Sequence, residues 1–128
     1  MFQLDSTSRI PIHDKIVNGI LRLRTVGGMK SGDKLPSVRS LALKLGINPN
    51  TVQKAYAILE ADGIIYSVSG KGSFISEDSA AADAILQSAA DEFKMAVENA
   101  RRMGLDRARL EAVISEIYEG GITDDKNS

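Results

Sequence analysis

The chain has 128 residues, room for one ordinary domain and a short appendage, and 43% of them are hydrophobic, as in a folded globular protein. Its formal net charge of −1 hides an asymmetry: Met1 to Ser76 holds ten Lys/Arg against five Asp/Glu, whereas Glu77 to Ser128 holds six against twelve. The lack of cysteine excludes disulfides and thiolate chemistry, and no apolar run approaches the ~20 residues of a membrane-spanning helix. A basic half joined to an acidic half suggests that one part meets a polyanion and the other does not. The opening Met1-Phe2-Gln3-Leu4-Asp5 lacks the basic and apolar regions of a secretory signal, so a cytoplasmic location is expected.

Ile12, Ile16, Ile20 and Leu23 recur at helical spacing after Pro11, and Gly27-Gly28 ends that first helix. His13, beside the stripe, is read as a surface or half-buried side chain, because no second metal-ligating residue lies near it. A polar turn, Lys30 to Lys34, leads into Leu35-Pro36. Ser37 is then placed to cap a short helix with Val38, Leu41, Ala42 and Leu45 inward, ended by Gly46. Asn48-Pro49, a capping residue with proline at the first helical position, opens the next helix, which carries Val52, Ala55, Tyr56 and Leu59 on one face and runs to Gly63. Two short helices separated only by Gly46-Ile47-Asn48 are a helix-turn-helix pattern.

After Gly63 the period changes from near 3.6 to near 2. Ile64 to Val68 and Ser73 to Ser76 read as two strands around the turn Ser69-Gly70-Lys71-Gly72. A helix-turn-helix followed by a basic-tipped hairpin is a winged helix-turn-helix. Beyond it, a long helical segment from Ser79 carries Ile85, Leu86, Ala89, Phe93, Val97 and Ala100, and breaks at Gly104. A second helix, capped by Asp106, carries Leu110, Val113, Ile114, Ile117 and Tyr118 and is expected to end at Gly120-Gly121. The expected fold is mainly α with a small β-wing (α+β): a winged helix-turn-helix domain over residues 1–76, then a two-helix C-terminal hairpin over 77–128 that frays from Asp124 to Ser128. Two such helices bury too little surface to stand alone, so they must pack on the winged domain or on a second copy. Leu86, Phe93, Val97, Leu110, Ile114 and Ile117 are the expected dimerisation residues.

In a helix-turn-helix the second helix places its N-terminal residues against base edges in the major groove. With Val52 turned inward, Asn50, Thr51, Gln53 and Lys54 point outward from the helix opened by Asn48. Asn and Gln pair bidentately with adenine, Thr touches a thymine methyl, and Lys reaches guanine or phosphate. Ser37 and Arg39 at the start of the preceding helix suit phosphate contacts. Lys71 sits at the wing tip, where Gly70 and Gly72 let the backbone approach a minor groove or phosphate. Gly70-Lys71-Gly72 is not read as a nucleotide-binding loop, because a strand rather than a helix follows it. No nucleophile, metal cluster or cofactor cradle is recognisable, so no catalytic residue, metal or cofactor is expected.

The run Gly32-Asp33-Lys34-Leu35-Pro36-Ser37-Val38-Arg39-Ser40-Leu41-Ala42 resembles the opening motif of GntR-type winged helix regulators. The match continues through Asn50-Thr51-Val52, Ala55-Tyr56, Leu59-Glu60, Gly63-Ile64-Ile65 and Gly70 to Ile75, and covers roughly Ile10 to Ser76. The short tail, with Ala100 to Leu105, is similar to that of the YtrA-type subfamily. That resemblance implies dimerisation through the tail helices, a transporter operon as target, DNA contacts from Arg39 and the start of the recognition helix, and the Gly70 region at the minor groove. Acyl-responsive relatives have arginine at the positions matching Pro49 and Gln53, so base preference cannot be taken over from them. The reading is thus a homodimeric transcription regulator, a repressor, on an inverted-repeat operator in double-stranded DNA. The alternatives are a sensor with a small-molecule effector site in the tail, and a winged module that contacts protein.

Overall fold

The computed structural model describes residues 9–127, and the backbone alone for 121–127. The readings made on the first eight residues and on Ser128 lie outside that description, and Asp124 to Asn127, where fraying was expected, have helical backbone. The elements in chain order are α1 (Ile12–Thr25), α2 (Val38–Leu45), α3 (Pro49–Ala61), β1 (Ile65–Val68), β2 (Gly72–Ile75), α4 (Ala80–Arg102) and α5 (Arg107–Asn127). Three helices and a β hairpin form the winged helix-turn-helix, and two further helices follow it. The residues group into two compact units that divide between Asp83 and Ala84.

Local chemistry sets the boundaries of the first unit. The Ser40 N–H donates to Ser37 Oγ at 3.0 Å, satisfying one of the free amides that open α2. Gly46 stops α2 with a left-handed φ of +68°, and the Ile47 N–H closes back on the Ala42 carbonyl at 3.0 Å. The Asn50 N–H donates to Asn48 Oδ1 at 2.8 Å, and Pro49 occupies the first helical position of α3, where its missing N–H costs nothing. Two stop-and-start signals within three residues leave only a tight turn between α2 and α3.

α3 packs against both α1 and α2 and runs into the hairpin. Its inward residues are the expected ones: Val52, Ala55, Tyr56 and Leu59 are all buried. With Ile16, Ile20, Leu41, Ile64, Ile65 and Ile75 they make the core, each large aliphatic side chain contributing about 1.5–3 kcal/mol when fully buried. The stripe of α1 is turned from its expected position. Ile16, Val17, Ile20 and Leu21 are buried, Leu23 is half-buried, and Ile12 at the helix start is 45% exposed. With 3.6 residues per turn, pairs at 16/17 and 20/21 centre the apolar face between two ridges rather than on one.

β1 and β2 pair antiparallel in the register Ile65–Ile75, Tyr66–Phe74, Ser67–Ser73 and Val68–Gly72. Ile65 and Ile75 face the core, and on the opposite face Tyr66 and Phe74 stack with ring centroids 5.6 Å apart. Lys34, expected in a polar turn, instead forms an antiparallel bridge to Phe74.

α4 begins within the first unit, where Ala82 is buried. From Ala84 onward, α4 has no residue more than half-buried. The Arg109 N–H donates to Asp106 Oδ1 at 2.9 Å, the cap expected at the start of α5. In α5, Leu110 is half-buried and every residue from Glu111 to Gly120 is exposed. Among the described residues α4 and α5 scarcely touch along their lengths, so neither covers the apolar stripe of the other. α5 also continues through Gly120-Gly121 to Asn127, past the expected end. Gly120 does not adopt the left-handed φ that would terminate the helix, and a helical glycine costs only about 1 kcal/mol relative to alanine.

Candidate nucleic-acid interface

The first turns of α3 present the side chains that the turn between α2 and α3 leaves outside the core. Asn50, Gln53 and Lys54 are exposed, and Thr51 is half-buried beside the buried Val52. Asn48, also exposed, uses Oδ1 to cap α3, and Ser37 uses Oγ to cap α2. Both side-chain oxygens are therefore engaged locally, which leaves amides of the two helix starts as the groups these residues help to present. Arg39, in the first turn of α2, is exposed.

The wing supplies a second group. The Lys71 N–H donates to the Val68 carbonyl at 2.9 Å and closes the turn, leaving Gly70 and Lys71 exposed at its tip. The wing is tied to the recognition helix by side chains: the Ser67 hydroxyl donates to Glu60 Oε1 at 3.1 Å, and Ser67 and Ser73 share a hydrogen bond at 3.2 Å. Between the wing and the start of α2 lies a cleft of about 440 Å³, with Lys34, Ser37, Tyr56, Ser69 and Lys71 among its lining residues. The Tyr56 hydroxyl donates to the Pro36 carbonyl at 2.7 Å, and burial raises its pKa from 10.0 to about 12.

Ser37, Gly70 and Lys71 thus share one cleft, whereas Asn50, Thr51, Gln53 and Lys54 stand together on α3. Sequence reasoning missed Lys34 and treated Tyr56 as core alone. The signal for Lys34 was the segment Asp33-Lys34-Leu35 before a proline, which is extended here but too short to tell from a turn. The six residues expected at a dimer contact lie on α4 and α5. Leu86 (41%), Phe93 (56%), Ile114 (39%) and Ile117 (65%) are exposed, while Val97 and Leu110 are half-buried. Among the described residues no group of His, Cys, Asp and Glu is arranged to hold a metal ion, and no helix is long and apolar enough to cross a membrane.

A helix-turn-helix with an open polar recognition helix and a basic wing defines a DNA-binding transcription regulator. Residues 12–75 match the family described as bacterial regulatory proteins, gntR family, and the chain belongs to that family of transcription regulators. It is 39% identical over 119 residues to the HTH-type transcriptional repressor YtrA of Bacillus subtilis (strain 168), spanning 91% of this chain and 92% of that one. A crystal structure described as a transcriptional antiterminator from Listeria monocytogenes EGD-e superposes with a TM-score of 0.71 at 30% identity, covering 95% of this chain and 92% of that one. The DNA-binding domain of AraR in complex with operator ORE1 superposes with a TM-score of 0.51 at 26% identity, covering 59% of this chain and 93% of that one.

Proposed function

We propose that this regulator is a homodimeric repressor that acts in the cytoplasm and reads the two halves of an inverted-repeat operator, the target being a transporter operon. The observation that carries the reading is the open polar face at the start of α3, Asn50, Gln53 and Lys54, on a helix whose opposite face is wholly buried. Asn50, Thr51 and Gln53 read base edges in the major groove. Lys54, Arg39, Lys71 and the amides presented by Ser37 and Asn48 hold phosphates, and Gly70 allows close approach of the wing to the minor groove. The AraR structure with its operator supports the docking mode, and the name of the YtrA relative supports repression.

The homodimer rests on the tail, residues 77–128. Isolated helices are marginal in water, and α4 and α5 leave Phe93, Ile114 and Ile117 exposed in the monomer. A second copy covers these stripes with the same surface, and its two-fold symmetry matches the symmetry of an inverted repeat.

The test is selection of binding sequences from random duplex DNA by the purified protein at near-physiological salt. Recovery of an inverted repeat supports both sequence reading and two-fold assembly. Recovery of no enriched sequence by a folded, dimeric protein would mean that an effector is required or that the partner is not DNA.

A further inference from the structure

Lys34 lies at the root of the wing, held there by its neighbours' backbone. The Gly32 N–H donates to the Ile75 carbonyl, the Ile75 N–H to the Asp33 carbonyl and the Leu35 N–H to the Ser73 carbonyl, each at 2.8 Å. Lys34 therefore sits on a short extended edge laid against β2. Its side chain crosses Gly72: a Cβ at position 72 would stand 2.9 Å from Lys34 Cε and 3.8 Å from Nζ. Gly72 also has a φ of +117°, so its backbone calls for glycine.

The cleft beside the wing is lined by Lys34 as well as Lys71, and no carboxylate is among its lining residues. Of the acidic groups around it, Asp33 Oδ2 accepts from the Lys30 N–H at 2.9 Å, and Glu60 Oε1 accepts at 3.1 Å from the hydroxyl of Ser67, a residue of the cleft lining. Two ammonium groups on one cleft whose lining includes no carboxylate repel each other, and an anion seated between them relieves that repulsion. The hydroxyl of Ser69 on the same lining offers a further donor.

We propose that this cleft seats a phosphodiester of the DNA backbone, with Lys34 contacting it from the root of the wing and Lys71 from the tip. The proposal rests on the DNA-binding reading above and adds a contact to it. Lys34 grips the backbone without regard to sequence, and it fixes how deeply the wing settles beside the duplex.

The experiment follows binding to a random-sequence duplex across a salt titration for wild type, Lys34→Gln, Lys34→Arg and Lys30→Ala, with thermal unfolding to confirm that each variant is folded. Removing one phosphate contact from duplex DNA makes the slope of log K against log salt shallower by about 0.9, so Lys34→Gln should lose about 3.5-fold less affinity than wild type over a fourfold rise in salt. Lys34→Arg keeps the charge and should keep the wild-type slope. Lys30→Ala, an exposed lysine outside the cleft, should keep it too. A wild-type slope in Lys34→Gln, or an equal change in Lys30→Ala, overturns the proposal while leaving DNA binding intact. Salt-insensitive binding, or none, by the wild type overturns both.

Discussion

The Tyr56 hydroxyl on α3 donates to the carbonyl of Pro36, just ahead of α2, at 2.7 Å across twenty residues of sequence. One hydrogen bond thereby joins the buried face of the recognition helix to the segment that leads into the neighbouring helix and lines the wing cleft. Tyr56→Phe keeps the ring in the core and removes only this bond. Stability should fall by about 1 kcal/mol, the net worth of one such bond, read as a shift in the denaturant midpoint with secondary structure unchanged.

The same residue predicts an alkaline limit. Burial raises the Tyr56 pKa from 10.0 to about 12, so the unfolded chain releases this proton at lower pH than the folded one. The contribution is therefore complete below pH 10 and is lost as pH rises through about 12. Unfolding midpoints measured across that window should fall more steeply for wild type than for Tyr56→Phe. Parallel curves would refute the assignment.

The helix-turn-helix depends on its two caps and its one left-handed glycine. Ser37→Ala and Asn48→Ala should each destabilise the domain by about 1 kcal/mol. At Gly46 a Cβ meets nothing within 4 Å, so Gly46→Ala should cost only the backbone term of about 1–2 kcal/mol. Calorimetric melting of the three variants tests this, and a much larger loss at Gly46 would point to a clash that the open space does not contain.

On the recognition helix, Asn50→Ala and Gln53→Ala should each weaken operator binding by about 1–3 kcal/mol and relax preference at one base position. Arg39→Ala and Lys71→Ala should weaken binding to every duplex by a similar factor. Titration against the selected operator and a scrambled duplex separates the two behaviours. Equal losses on both duplexes for Gln53→Ala would remove it from base reading.

In the tail, Phe93→Glu and Ile114→Glu place a charge on the exposed apolar stripes of α4 and α5. Sedimentation should report monomers, and operator affinity should drop because each half-site then binds alone. Dimers that survive both substitutions would mean that the tail assembles through another surface.

The order of elements, the caps at Ser37, Asn48 and Asp106, the stop at Gly46 and the inward face of α3 were all legible in the sequence. They are local: each depends on residues within about one helical turn, where capping and periodicity act. The exposed set Asn50, Gln53 and Lys54 was legible for the same reason, since it is the complement of the buried face. What the tertiary structure alone decided are relations between distant segments. The bridge from Lys34 to Phe74, the passage of the lysine chain over Gly72, and the Tyr56–Pro36 bond each require two stretches to meet, and no local pattern encodes that meeting. The continuation of α5 through Gly120-Gly121 belongs with them, because a glycine pair permits a stop without imposing one. So does the exposure of both tail stripes: spacing makes a helix amphipathic, but only packing determines what covers its apolar face.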